Sequence, residues 1–142
     1  MLALAGAGAM GAGGHLGGHL SFAEGVGVNQ TVFGKGPDEW TSTVTETELS
    51  EGIPVCVSAG AVNVMIVRDN DGIHALDDRC THRGGPLHEG EVADGCVTCP
   101  WHGSRFRLAD GSIEQGPAVT PQPVYETRVV DGRVEVRLPA GS

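Results

Sequence analysis

Aromatic side chains make up only 4% of the 142 residues, so any core must be filled by branched aliphatics. Basic residues are scarce too: nine Lys and Arg stand against eighteen Asp and Glu, for a formal net charge of -9. A chain this acidic repels phosphate backbones, which argues against nucleic acid as a partner. Residues 1–23 contain no Asp, Glu, Lys or Arg, and the first basic residue is Lys35. The apolar start therefore lacks the basic stretch that opens a secretory signal. After Pro37 no segment carries a long helical period, which excludes a helical bundle and leaves an all-β domain. Cysteine is limited to four residues, and as shown below their surroundings do not read as two disulfides.

What is present divides the chain into three. Residues 1–28 form an apolar, Gly/Ala-rich segment that reads as a helix and, since Met1 to Phe22 just reaches the roughly 20 residues a bilayer requires, as a candidate membrane helix. Gly13 and Gly17, like Gly14 and Gly18, stand at the small-xxx-small spacing that lets helices approach closely. His15 and His19 share a helix face, as metal ligands can, although paired histidines without a ligand are commoner. A disordered leader is the alternative. Residues 29–37, with Gly34-Lys35-Gly36-Pro37, read as a linker, and 38–140 as the folded domain.

Within that domain the signals are those of short strands. Trp40 to Thr45 is rich in β-branched residues, Val62 to Val67 is a mostly apolar run, and Arg133 to Leu138 alternates strictly. Asp-Gly occurs at 71–72, 94–95, 110–111 and 131–132, a strong signal for two-residue hairpin turns. The class is antiparallel all-β, a sandwich or incomplete barrel.

The chemistry lies between Cys80 and His102. Cys80-Thr81-His82 and Cys99-Pro100-Trp101-His102 give C-x-H, sixteen residues, then C-x-x-H. Thiolate and imidazole bind first-row transition metals most readily, and two such pairs supply four ligands. Structural zinc uses the same donors. In zinc fingers, however, the cysteines usually form one arm and the histidines the other, whereas here each arm carries one of each. That division suits a [2Fe-2S] cluster with one iron on Cys80 and Cys99 and the other on His82 and His102. Gly84-Gly85-Pro86 and Gly103 give tight loops that bring backbone N–H groups close to sulfur. Cys56 and Cys96 sit in apolar, strand-like surroundings and read as buried, inert thiols. Arg79, Arg83, Arg105 and Arg107 flank the loops, either as a positive rim or paired with neighbours such as Asp77, Asp78 and Glu89.

The segment resembles the Rieske iron-sulfur domain, over about residues 39–138. The resemblance implies a β-sandwich or incomplete barrel with two cluster-binding loops, Gly116-Pro117-Ala118 as a third covering loop, and the outer nitrogens of His82 and His102 at the surface. It implies that Ser104 tunes the cluster by donating to a bridging sulfide, and that Phe106 stands where high-potential members place a tyrosine. Respiratory members join an extra cysteine from each loop in a disulfide; here those places are Gly85 and Trp101, as in the ferredoxin and oxygenase branch. The run Gly25-Val26-Gly27-Val28-Asn29 resembles the end of the membrane domain that precedes a Rieske domain in some bacterial proteins.

The expected function is one-electron transfer through a [2Fe-2S] cluster, as a ferredoxin-like carrier or membrane-tethered module, with a reductase or oxygenase as redox partner. Alternatives are an electron-transfer subunit of a Rieske oxygenase or quinol oxidoreductase system, or a structural zinc module. The forty residues after His102 include no histidine, too little for the mononuclear iron domain of an oxygenase, so the chain is not expected to be an enzyme on its own. It is expected in the cytoplasm or at a membrane through residues 1–23, without dependence on disulfides.

Overall fold

The computed structural model describes residues 2–24, 27–32 and 34–140. Gly25 and Val26, part of the run that resembles a membrane-domain end, lie outside the described residues.

The expected N-terminal helix is present as α1 (Leu2–Phe22). Among the described residues, however, no helix is long and apolar enough to cross a membrane. The expectation of a membrane-spanning helix is not met because the length is there and the hydropathy is not: seven glycines and two histidines between Leu2 and Phe22 take the places of large aliphatics. Met10 and Leu16 are 80% and 61% exposed, so among its described side chains the helix buries no apolar stripe against the rest of the chain.

Ten strands follow. β1 (Thr41–Thr45), β2 (Val55–Ala59), β3 (Val62–Asp69), β4 (Gly72–Asp77), β9 (Val124–Val130) and β10 (Arg133–Arg137) form a six-stranded sheet in the order β1-β10-β9-β4-β3-β2. β5 (Glu91–Ala93), β6 (Cys96–Thr98), β7 (Arg105–Arg107) and β8 (Ile113–Gln115) form a smaller sheet in sequence order. All these strand pairings are antiparallel. The edge strands β1 and β2 come alongside each other, so the large sheet nearly closes into a barrel and leaves little unpaired edge.

The strands follow from the sequence pattern. β10 turns Val134 and Val136 inward and leaves its charged residues outside, as strict alternation requires. β3 is buried on both faces, which is why its sequence is a nearly unbroken apolar run. Val62, Val64 and Ile66 enter the barrel core with Ala75, Tyr125, Val134 and Val136. Met65 and Val67 point the other way, into a second core with Leu76, Leu87, Val97, Phe106 and Leu108. Full burial of each such aliphatic is worth about 1.5–3 kcal/mol. Cys80 and Cys99 belong to this second core, so the two candidate thiol ligands are fixed by the same packing that joins the two sheets.

Two of the four Asp-Gly pairs make the two-residue hairpins expected of them. Asp94-Gly95 joins β5 to β6 with φ of 52° and 69°, and Asp131-Gly132 joins β9 to β10 with φ of 49° and 76°. Both central residues are left-handed, the turn whose twist matches paired strands. At 71–72 and 110–111 only the glycine has positive φ. Between β3 and β4 the register pairs Asp69 with Gly72, so the turn itself is Asn70-Asp71, and the Asp69 carboxylate accepts from the N–H groups of Asp71 and Gly72.

Candidate metal centre

The first ligand loop leaves β4 of the large sheet and ends in a short 3-10 turn at Leu87–Glu89; the second connects β6 to β7 of the small sheet. Although their histidines are spaced differently, the two loops are closed by the same backbone bonds. Cys80 N–H donates to Gly85 O and Gly84 N–H to Cys80 O; Cys99 N–H donates to Ser104 O and Gly103 N–H to Cys99 O. Each loop thus pairs its cysteine N–H with the fifth carbonyl onward and its cysteine carbonyl with the fourth N–H onward. The fourth residue must be left-handed, and it is glycine both times, with φ of 76° at Gly84 and 75° at Gly103.

This closure aims donors at sulfur. The N–H groups of His82 and Arg83 point at Cys80 Sγ, and those of Trp101 and His102 at Cys99 Sγ. The two thiols also meet. The hydrogen bond from Cys80 is the largest influence pushing the Cys99 thiol down, opposed by burial and helped by the two backbone donors. The Cys80 thiol, holding that proton and buried, is pushed up. Beside them the rings of His82 and His102 lie 5.0 Å apart, edge to face at 89°. Burial, then the neighbouring His102 and Arg83, push the His82 imidazole down, toward the neutral form that ligates metals. His82 is partly buried and His102 exposed.

One atom tests whether a metal group fits. His82 Nδ1 is fully buried and has no hydrogen-bond partner among the described residues. A buried ring nitrogen left without a partner costs free energy, and a metal would use its lone pair. The surrounding space is equally specific: a Cβ on Gly85 would stand 2.9 Å from Cys99 Sγ and 3.0 Å from Trp101 Cγ. Two sulfurs, a neutral imidazole with a free nitrogen and a second imidazole beside it therefore form a donor set into which a [2Fe-2S] cluster fits. The contact also places Gly85 and Trp101 face to face; all four cysteines are free thiols.

Ser104 is fully buried, and its Oγ accepts from Ala118 N–H at 3.0 Å. It therefore ties the third loop, Gly116-Pro117-Ala118, to the second, and its own hydroxyl hydrogen remains to be donated. Phe106 is fully buried in the core that contains both candidate ligand cysteines. Of the flanking arginines, Arg105 pairs with Asp94 and Arg107 with Glu114, different carboxylates from those suggested by sequence. Arg79 donates to Gln30 and Arg83 to Glu24 O; among the described residues neither has a carboxylate in ion-pair contact.

Sequence reasoning missed the support of the first loop. Gln122 is buried, accepts from Thr81 N–H at 3.1 Å, and donates to Asp77 O at 2.7 Å and Arg79 O at 2.9 Å. Thr81 Oγ1 donates to Thr120 O. The available signal was a lone amide between two prolines, Pro121-Gln122-Pro123. Cys96 is buried as expected, but Cys56 is exposed, because β2 is an edge strand and Cys56 faces away from the barrel core.

The family description "Rieske [2Fe-2S] domain" matches residues 39–126. The anthranilate 1,2-dioxygenase ferredoxin subunit of Burkholderia cepacia is 36% identical over 100 residues, 70% of this chain and 93% of that protein. Ferredoxin CarAc of Metapseudomonas resinovorans is 30% identical over 98 residues, 68% of this chain and 92% of that one. Among solved structures, the ferredoxin of carbazole 1,9a-dioxygenase from Nocardioides aromaticivorans superposes with a TM-score of 0.67 at 26% identity, covering 70% of this chain and 98% of that one. With its two closed loops, its free thiols and a family match across most of the β domain, the chain belongs to the Rieske [2Fe-2S] family.

Proposed function

We propose that Cys80 and Cys99 hold one iron and His82 and His102 the other iron of the [2Fe-2S] cluster, and that the chain carries single electrons between a reductase and an oxygenase. A Rieske cluster, when bound, takes up and gives back one electron. The observation that carries the residue assignment is the pair of identically closed loops, which put two thiols in contact beside two imidazoles in contact. The protein's part is to hold these donors rigid and to direct N–H groups at sulfur, so that negative charge on the sulfur is stabilised without rearrangement. The exposed edge of His102 is the exit for the electron. Exposed Trp101 stands beside it with ring centroids 6.4 Å apart, and Arg83 acts on the neighbouring His82; an apolar and basic tip of this kind suits a partner presenting carboxylates.

The oxygenase reading is supported by relatives whose own names tie them to dioxygenase systems, and by a solved complex of oxygenase and ferredoxin in carbazole 1,9a-dioxygenase that matches this chain with a TM-score of 0.66 at 29% identity. A quinol oxidoreductase role is disfavoured by Gly85 and Trp101 at the disulfide places and by Arg83, where respiratory members shield the cluster with an apolar residue. Four free thiols suit a reducing compartment.

Protein produced with iron is expected to be red-brown and, once reduced, to give the low-average-g electron paramagnetic resonance signal of mixed Cys and His ligation. His82→Cys or His102→Cys should lower the potential, because thiolate places more negative charge on iron than imidazole does. A colourless protein that holds one zinc after iron-replete expression would overturn the assignment.

A further inference from the structure

Cys56 on β2, Asp78 at the base of the first ligand loop and His88 on the turn after it come from three separate segments. Their Sγ, carboxylate oxygen and Nδ1 nevertheless all lie within 4.8 Å of one another. Cys56 Sγ donates to Asp78 Oδ2 at 3.5 Å, and His88 Nδ1 is 2.9 Å from both carboxylate oxygens. The carboxylate is fixed in place: its side chain is 8% exposed, His88 N–H donates to Oδ1 at 2.8 Å, and Leu87 N–H donates to Asp78 O at 2.8 Å. Cys56 is exposed, so the group opens to solvent on its sulfur side. None of the three is assigned to the cluster.

We propose that Cys56, Asp78 and His88 form a second metal site, which takes one divalent cation of the zinc class with water as its fourth ligand. One thiolate, one imidazole and one carboxylate are a borderline donor set that matches this class and a tetrahedral geometry with one open position. Magnesium and calcium require more oxygen ligands than the group offers. Binding releases the Cys56 thiol proton to solvent and moves the His88 ring proton from Nδ1 to Nε2, the nitrogen that faces Glu89 Oε1 at 4.0 Å. No electron is exchanged. The occupied site ties the edge strand β2 to the base of the Cys80 loop, where Asp78 already anchors the turn that follows.

The test is zinc titration of the cluster-loaded chain by calorimetry, with zinc-edge X-ray absorption on the product. One zinc should bind with the visible spectrum of the cluster unchanged, with one sulfur scatterer at about 2.3 Å and the rest nitrogen or oxygen at about 2.0–2.2 Å. Cys56→Ser and His88→Ala should each weaken binding at least tenfold, and zinc should raise the thermal midpoint of the wild type but not of Cys56→Ser. His15 and His19 on α1 offer zinc another place to land, so the sulfur scatterer and the Cys56→Ser variant decide the outcome. The site is refuted if no zinc binds, if bound zinc shows no sulfur, if Cys56→Ser binds as tightly as the wild type, or if zinc binds only as the cluster spectrum is lost.

Discussion

At the scale of single residues, Ser104 ties two loops together, and the proposal that it also tunes the cluster can be tested by substitution. Its oxygen accepts from Ala118 N–H, which leaves its hydroxyl hydrogen to be donated, on this proposal to a sulfide of the cluster. A donor to sulfur favours the reduced, more negative cluster and raises the potential. Hydrogen bonds to charged groups are worth roughly 1.5–3 kcal/mol, or at most about 65–130 mV for one electron, since only the difference between redox states counts. Ser104→Ala should lower the potential within that bound, and leaving Ala118 N–H buried without an acceptor should cost about 1–3 kcal/mol in denaturant unfolding. Phe106→Tyr should raise the potential if the new hydroxyl reaches a cysteine sulfur. Voltammetry on both variants checks the pair, and a potential that moves in neither sinks this view of the tuning. The candidate ligands and Ser104 could be named from the sequence because their spacing is local. Gln122 was not: its three partners lie more than forty residues away, and nothing in Pro-Gln-Pro says what the amide will meet.

At the scale of elements, the loops and turns are held by a few close approaches that substitutions can test. A Cβ on Gly85 would stand 2.9 Å from Cys99 Sγ, at the mouth of the donor set. Gly85→Ala should therefore fold, with an unchanged far-ultraviolet spectrum, and bind less iron than the wild type. At Gly111 the φ of 70° combines with a Cβ position 1.9 Å from Gln122 O. Gly111→Ala pushes on the strut that steadies the first loop, so it should lower the thermal midpoint as well as the iron content. The β3–β4 turn predicts a pH effect. Burial raises the Asp69 carboxyl, but the N–H groups of Asp71 and Gly72 and the His74 ring outweigh it and hold the pKa below the usual value. Its contribution is then fully present above the unfolded value of about 3.9 and is lost as pH falls through the folded one. Asp69→Ala should flatten that part of the acid unfolding curve, by about 0.5–1.5 kcal/mol for each hydrogen bond lost. The strands were readable because alternation and Asp-Gly turns are local signals. The exposure of Cys56 was not, since the same Val-Cys-Val pattern suits a central strand and an edge strand, and only the sheet order separates them.

At the scale of the whole molecule, the described residues form a β domain that packs on itself and a helix whose described side chains do not pack on it. The glycines of α1 have nothing within 4 Å of an added Cβ, its described large side chains are exposed, and the segment reaches the β domain through the bond from Arg83 to Glu24 O. A few residues later the situation reverses. Gln30 N–H donates to Thr81 O in the first ligand loop, Thr31 is buried, a Cβ on Gly36 would stand 2.2 Å from the Tyr125 ring, and Pro37 O accepts from Leu138 N–H. Composition reads 29–37 as a linker, yet Gly, Lys and Pro are as common in segments that lie flat on a barrel, so the boundary is open to test. Deleting residues 1–24 should therefore leave the cluster spectrum and the thermal midpoint unchanged. Deleting residues 1–37 should remove backbone hydrogen bonds worth about 0.5–1.5 kcal/mol each, together with the contact beneath Tyr125. For a domain of roughly 100 residues each kcal/mol is worth about 4–8 °C, so the longer deletion should lower the midpoint by at least several degrees. Scanning calorimetry on the two truncations decides between this boundary and one at residue 38. A loss of stability in the shorter deletion would mean that the helix packs on the domain after all, and equal midpoints in both would mean that residues 27–37 are a spacer.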